Sequence, residues 1–226
     1  MATQSIYFSK FKLLNDCTVD EIVELLNDSV DTTERFVVND YSSDYIDGIY
    51  IMSYVSKELI FNVDTMNYEN VELSRNIAIN FSIDISRGII EVWGNKSNAQ
   101  KLLVRLSILF NNKIITDSIN IKIPDIIKRL KQYRLIIGKV KIEDVVLQDN
   151  LIASCVFDLT NHEKPYDILN KYKEKVTQVS VILKEENGTS ITVSIYSSGS
   201  IIVYRNRENI SESTLMIIKQ ICIGGI

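Results

Sequence analysis

From Ile77 to Ile85 the chain alternates without interruption. Ile77, Ile79, Phe81, Ile83 and Ile85 are separated by small or polar residues. A period of two puts one face of a strand on a core and leaves the other toward water. Ser86-Arg87-Gly88 predicts a tight turn and Ile89-Ile90-Glu91-Val92-Trp93 a returning strand. The spacing then changes to that of a helix, with Leu102, Leu103, Leu106, Leu109 and Phe110 as its apolar stripe and Ser97 as its cap.

The same reading, carried along the chain, predicts a strand over Ile6–Leu13, then a helix opened by Thr18 with Glu21 three residues on, a capping box. Ile22, Leu25 and Leu26 form the stripe of that helix, which should end near Asn27-Asp28-Ser29. Strands are expected at Arg35–Val38, Gly48–Tyr54 and Glu58–Val63, with loops over Asp40–Asp47 and Asp64–Asn76. Further strands are expected at Lys113–Ile123, Leu135–Leu147, Leu151–Leu159, Thr177–Lys184, Ser190–Tyr196 and Ile201–Tyr204. The turn between Leu147 and Leu151 is Gln148-Asp149-Asn150. Helices are expected from Pro124 to Tyr133, from Tyr166 to Val176 and, capped by Ser211, from there to Ile221.

Two stretches share one order of elements. Ile77–Phe110 and Ser190–Ile221 each read as an alternating strand, a turn ending in glycine, a short apolar strand and a capped amphipathic helix. Gly88 answers Gly199, Trp93 answers Tyr204 and Asn95 answers Asn206. A hairpin needs a cover for its apolar face, and the following helix supplies it. This order resembles the duplicated strand–helix saddle of the TATA-binding-protein type. The resemblance implies an architecture and carries no function. The predicted fold is therefore α+β, with mostly antiparallel sheet and covering helices. It divides into an N-terminal half, 1–122, and a C-terminal half, 123–226, or packs as one compact domain.

Composition is that of a globular chain: of 226 residues, 46% are apolar and 24% charged, enough for a core without disulfides or metals. Three cysteines that cannot all pair, the absence of a long apolar run and a start without signal-peptide character predict a cytoplasmic protein. Abundant Ile, Asn and Lys beside scarce Gly, Pro and His fit an AT-rich bacterial or phage genome.

Charge is unevenly laid out. Residues 1–84 carry 15 acids and 5 bases, whereas Lys96–Lys141 carries eleven bases and two acids. Solvated outer faces, complementarity between the two stretches and a phosphate footprint are the competing explanations. For a footprint, Lys128, Arg129, Lys131 and Arg134 are the best cluster. The acidic stretch holds Tyr41, Tyr45, Tyr50, Tyr54 and Tyr68, and tyrosine is favoured at protein interfaces. Tyr41, Asp44, Tyr45 and Asp47 are thus candidates for contacting a protein.

Catalytic signatures are sparse. The single histidine, His162, lies in a loop, the cysteines lack metal spacing, and the glycines form no phosphate-cradling pattern. No cofactor or metal is expected. Asp40, Asp44 and Asp47 lack the spacing of a calcium loop. The expected function is a non-enzymatic interaction or assembly protein, a subunit of a complex or a homo-oligomer, with phage defence or counter-defence as a fitting setting. The alternatives are a nucleic-acid-binding protein using residues 96–141 and a carboxylate-dependent enzyme. Membrane partners are not expected, and the sequence names no small-molecule ligand.

Overall fold

A computed structural model describes residues 3–14, 17–29, 31, 33–111, 113–119, 121–148, 151–185 and 187–224. Its fold is α+β. Among the described residues there are eleven strands, antiparallel and in open-sheet arrangement, and five α-helices. The chain divides into two compact units: Lys10–Val92 with Ser97–Thr116, and Met1–Ser9 with Trp93–Lys96 and Asp117–Ile226. We call them the arm unit and the C-terminal unit.

The arm unit takes the end of β1 (Gln4–Leu13), then α1 (Val19–Asp28), β2 (Glu34–Tyr41), β3 (Tyr45–Asn62), β4 (Asn67–Asp84), most of β5 (Ile89–Trp93), α2 (Lys96–Leu109) and the start of β6 (Ile114–Ser118). Its strands lie in the order β2-β3-β4-β5. The capping box opens α1 as its residues require: the Thr18 hydroxyl accepts from the Glu21 amide, and the Glu21 carboxylate accepts from the Thr18 amide at 2.8 Å. Ile22 and Leu26 of α1, Leu102 and Leu106 of α2 and Ile46, Ile79 and Phe81 of the sheet are buried. Phe36 stacks on Tyr50 with ring centroids 4.8 Å apart and meets Phe81 edge-on at 5.7 Å. Gly48 lies under this cluster, where a Cβ would stand 2.9 Å from the Phe81 ring and 2.8 Å from the Val37 carbonyl.

The C-terminal unit takes the start of β1, α3 (Ile123–Gln132), β7 (Ile136–Val146), β8 (Ile152–Asp158), α4 (Pro165–Lys171), β9 (Val176–Lys184), β10 (Ser190–Tyr196), β11 (Ile201–Val203) and α5 (Glu212–Ile223). Its strand order is β1-β11-β10-β9-β7-β8. Val140, Ile142, Val179, Val181, Val193, Ile195 and Val203 line the core face of this sheet. Both hairpin-then-helix stretches are present, β4-β5-α2 and β10-β11-α5, and each hairpin turns on a glycine of positive φ, Gly88 or Gly199.

Several expectations are corrected. Asp40–Asp47 is no loop: β2 runs to Tyr41 and β3 begins at Tyr45, leaving a three-residue turn. Asp64–Asn76 is largely strand, because β4 starts at Asn67 and pairs with β3 as far as the Asn62–Asn67 position. The strands expected at Gly48–Tyr54 and Glu58–Val63 are one continuous β3. The Tyr166–Val176 helix stops at Lys171, since Leu169 is its one buried apolar residue and Val176 already begins β9. The strand expected over Lys113–Ile123 covers Ile114–Ser118, and α2 starts at Lys96, before a Ser97 cap would allow. Asn120, Asp149, Asn150 and Glu186 lie outside the described residues.

Glu185 holds one corner of the C-terminal unit. Its carboxylate accepts from Arg205 Nη1 at 2.6 Å, from the Thr189 hydroxyl at 2.9 Å and from the Ser211 amide at 2.9 Å. One side chain thus joins the end of β9, the hairpin after it and the first turn of α5. These bonds, the Ser211 amide foremost, hold the Glu185 carboxyl below its ordinary value of 4.5. A carboxyl depressed in the folded state stabilises above its unfolded pKa and loses that contribution as pH falls through the folded value. Glu185→Gln should therefore lower the melting temperature at neutral pH and flatten its decline below about pH 4.5; thermal melts across pH 2–7 give the measurement.

Candidate functional site

The ladder between β3 and β4 outruns its neighbours. β2 pairs with β3 only from Glu34–Met52 to Tyr41–Ile46, and the Ser53 amide donates to Thr33 O at 2.7 Å at its limit. β5 is five residues long and follows β4 by a four-residue turn, so it reaches only the last part of β4. Beyond the Ser53–Thr33 bond, and among the described residues, 53–62 and 67–76 therefore have no strand partner but each other. At about 3.3 Å per residue the result is a two-stranded arm on the order of 30 Å long.

The arm's chemistry is local. At the tip, the Asn62 side-chain oxygen accepts from the Asp64 amide at 2.9 Å, and Met66 takes a positive φ of 56° to close the turn. Glu69 accepts from the Thr65 hydroxyl at 2.7 Å and from the Asn62 amide nitrogen at 3.1 Å, bonds that lower its carboxyl below the ordinary range. Phe61 and Tyr68, directly opposite, meet edge-on at 5.2 Å. Lys57 pairs with Glu72 across the strands at 3.1 Å, and Arg75 pairs with Glu58.

Strand alternation sorts the arm's side chains onto two faces. Val55, Leu59 and Phe61 of β3 share a face with Tyr68 of β4, and all are exposed, Leu59 by 63% and Tyr68 by 67%. Tyr54 and Ile60 are exposed on the other face, and Val63 and Met66 at the tip. Large apolar side chains are thus gathered densely on an exposed ribbon. An isolated two-stranded hairpin is moreover marginal in water without something to pack on.

The protein-contact candidates from the sequence stand together at the turn between β2 and β3. Asp47 accepts from the Tyr45 hydroxyl at 3.4 Å and from the Asn39 side chain at 3.3 Å, Asp44 accepts from the Ser42 hydroxyl at 3.1 Å, and Tyr41 is half exposed. Tyr54 and Tyr68, noted only for their type, are on the arm, whereas Tyr50 is core. The hydroxyl of Tyr50 is pushed up by burial and by the Glu34 carboxylate.

The basic candidates divide. Lys128 lies exposed beside Asp125 at 3.5 Å, Lys131 is exposed on the same helix, and Arg134 follows its end with a positive φ of 52°. Arg129 turns inward instead and donates to Ile221 O at 2.8 Å and Cys222 O at 3.2 Å, at the C-terminal end of α5. A cation there satisfies helix-end carbonyls and meets the negative end of the helix dipole.

A cleft of about 460 Å³ in the arm unit is lined by Leu13, Cys17, Glu21, Leu25, Phe110 and Lys113, among others. Burial and Glu21 raise the Cys17 thiol, and burial pushes the Cys222 thiol up to about 12, so neither is an activated nucleophile. Exposed His162 accepts from the Lys164 amide at 3.0 Å. Among the described residues no three His, Cys, Asp or Glu side chains converge as metal ligands would, and no helix is long and apolar enough to cross a membrane.

No protein-family model matches the chain, and comparison with the curated proteins gives no match.

Arg129→Ala should cost about 1–3 kcal/mol of stability by leaving the α5 carbonyls without their donor. Lys128→Ala and Lys131→Ala, at exposed positions, should each stay within about 0.5 kcal/mol of the parent. Urea unfolding of the three variants checks both statements.

Proposed function

We propose that this is a non-enzymatic interaction protein, a subunit of a larger assembly, which docks a protein partner through the β3–β4 arm. The observation that supports the reading is the face formed by Val55, Leu59, Phe61 and Tyr68, exposed on a ribbon that, among the described residues, has no third strand beside it. Aromatic and aliphatic anchors framed by charged pairs such as Lys57–Glu72 are the makeup of an interface centre and rim. The β2–β3 turn, with Tyr41, Asp44, Tyr45 and Asp47, stands at the other end of β3 from the arm and would be a separate, polar contact.

We infer further that the two hairpin–helix stretches are copies of one unit, in the manner of a TATA-binding-protein-like saddle. The shared order of elements and the matching glycines Gly88 and Gly199 support this reading. The additional α4 between β8 and β9 has no counterpart between β2 and β3 and would be an insertion.

Each large apolar side chain buried against a partner contributes about 1.5–3 kcal/mol. Leu59→Asp combined with Phe61→Asp should thus weaken docking by at least about 100-fold. The fold, read by circular dichroism and melting temperature, should change little, because neither side chain belongs to the core. Purification of parent and variant from the native host, followed by hydrogen exchange over residues 53–76, tests the reading. Protection of the arm in the parent assembly and its loss in the variant are expected. Identical assemblies from both, with an unprotected arm, would overturn it.

A further inference from the structure

β8 is the last strand of the C-terminal unit's sheet, so among the described residues one of its edges faces no strand. Sheet edges are ordinarily guarded by lysine, proline, a bulge or an inward-pointing charge. Ile-Ala-Ser-Cys-Val-Phe-Asp, the whole of β8, has no lysine or proline, and its register break against β7 lies on the β7 side, around Asp144. Its one charge, Asp158, is terminal, stands opposite Lys139 and accepts from the Thr160 amide at 3.0 Å. Ile152 and Val156 are exposed by 63% and 64%, and Val146, opposite Ile152, is exposed too.

The direction of the backbone groups follows from two hydrogen bonds. Leu147 donates to Leu151 O at 2.9 Å, and Leu159 donates to Gly138 O at 2.7 Å. Residues 151 and 159 therefore face β7, and alternation makes 153, 155 and 157 do the same. The N–H and C=O groups of Ile152, Ser154, Val156 and Asp158 consequently point away from β7, toward the open edge.

We propose that β8 pairs antiparallel with β8 of a second copy of this chain, about a two-fold axis at Cys155. Three features select a second copy as the occupant. The outward residues are arranged symmetrically about Cys155, so Ser154 and Val156 of one copy exchange hydrogen bonds with Val156 and Ser154 of the other. In the same register Ile152 lies opposite Asp158, so no like charges face one another. The nearby lysines are already balanced, Lys139 opposite Asp158 and Lys141 bonded to Glu143 at 2.8 Å, so two copies approach without repulsion. Self-pairing of this kind is an isologous contact and closes at a dimer.

The register makes a geometric demand. Cys155 faces β7, so across the new edge Cys155 and its symmetry mate form the non-hydrogen-bonded type of pair, with Cα atoms about 4.5 Å apart. That separation brings the two thiols within reach of a short bridge. Cys155 is a free, half-buried thiol.

The test uses the full chain carrying Cys17→Ser, in which Cys155 is the partly exposed thiol and Cys222 is buried. Light scattering should show a dimer, and dibromobimane, which bridges two thiols at short range, should yield a covalent dimer. Cys155→Ser should abolish the covalent product and leave the dimer by light scattering. Val156→Lys and, separately, Ser154→Pro should raise the dimer dissociation constant at least about 30-fold, the second by removing an N–H that points away from β7. Circular dichroism identifies any variant that fails to fold, and the remaining one then decides. A monomer at a concentration of about 100 µM, a dimer indifferent to both edge substitutions, or a dimer that never cross-links through Cys155 would overturn the proposal. The arm substitutions Leu59→Asp and Phe61→Asp should leave this dimer intact, which separates its failure from that of the arm's docking.

Discussion

A single antiparallel ladder, β3 with β4, is anchored at one end and free at the other, and the arm unit is organised around that difference. At the anchored end Tyr50 and Phe81 sandwich against Phe36, and the Phe81 ring occupies the space a side chain at position 48 would need. Packing density there fixes the register of both strands, because a slip of one residue would carry Tyr50, Ile79 and Phe81 to the opposite face. The register set by this cluster is inherited by the twenty residues beyond it. Beside the hydrogen bonds of the tip, cross-strand pairs act out there, such as Phe61 with Tyr68 and Lys57 with Glu72. Each contributes a fraction of a kilocalorie to about 1 kcal/mol, so the arm's direction is dictated by the core while its stability is its own.

The charge asymmetry of the chain acquires a structural meaning in part. Arg105, from the basic stretch, lies on α2 and pairs with Glu34 at 3.1 Å and Asp31 at 3.9 Å, both from the acidic stretch. Arg129 serves the end of α5, and Lys141 serves Glu143. Of these three, Arg105 meets acids of the N-terminal stretch, whereas Arg129 and Lys141 serve groups of their own unit. Lys128 and Lys131 are of another kind, exposed on α3, with Asp125 beside Lys128 at 3.5 Å. Linear clustering of charge thus joins side chains with different duties, and the helix geometry that sorts them is invisible in a count.

Elements with a buried face were legible in the sequence. The alternation of Ile77–Ile85, the capping box at Thr18 and the Pro124 helix start all reflect burial or unpaired helix-end amides, and both leave a periodic trace. The β4 half of the arm was not legible for the same reason. Between Thr65 and Asn76 the chain reads Thr-Met-Asn-Tyr-Glu-Asn-Val-Glu-Leu-Ser-Arg-Asn, polar and without a strict period. Periodicity records which side of a strand is buried, and a ribbon wet on both sides has nothing to record. Tyrosine count hinted at the region but placed Tyr50, a core residue, beside Tyr68, an exposed one. What marks the site is the length of a ladder relative to its neighbours, a property of pairing and not of either strand.

The two sheet edges show how the protein spends its protection. β2, at the edge of the arm unit's sheet, carries Glu34, Arg35 and Asp40 and a register break between Val38 and Asp40, the devices that keep an edge from recruiting another strand. β8, at the edge of the C-terminal unit's sheet, has one terminal aspartate and alternates Ile152, Ser154 and Val156 outward. An unguarded edge costs a protein solubility unless a specific partner occupies it. The break at Asp144, where Lys175 donates to the Asp144 carbonyl at 2.7 Å, bends β7 while β8 itself keeps an uninterrupted alternation. The irregularity is thus confined to the inner strand, and the outer strand is left regular over its seven residues. A regular outer strand is the form that an incoming strand can match residue for residue.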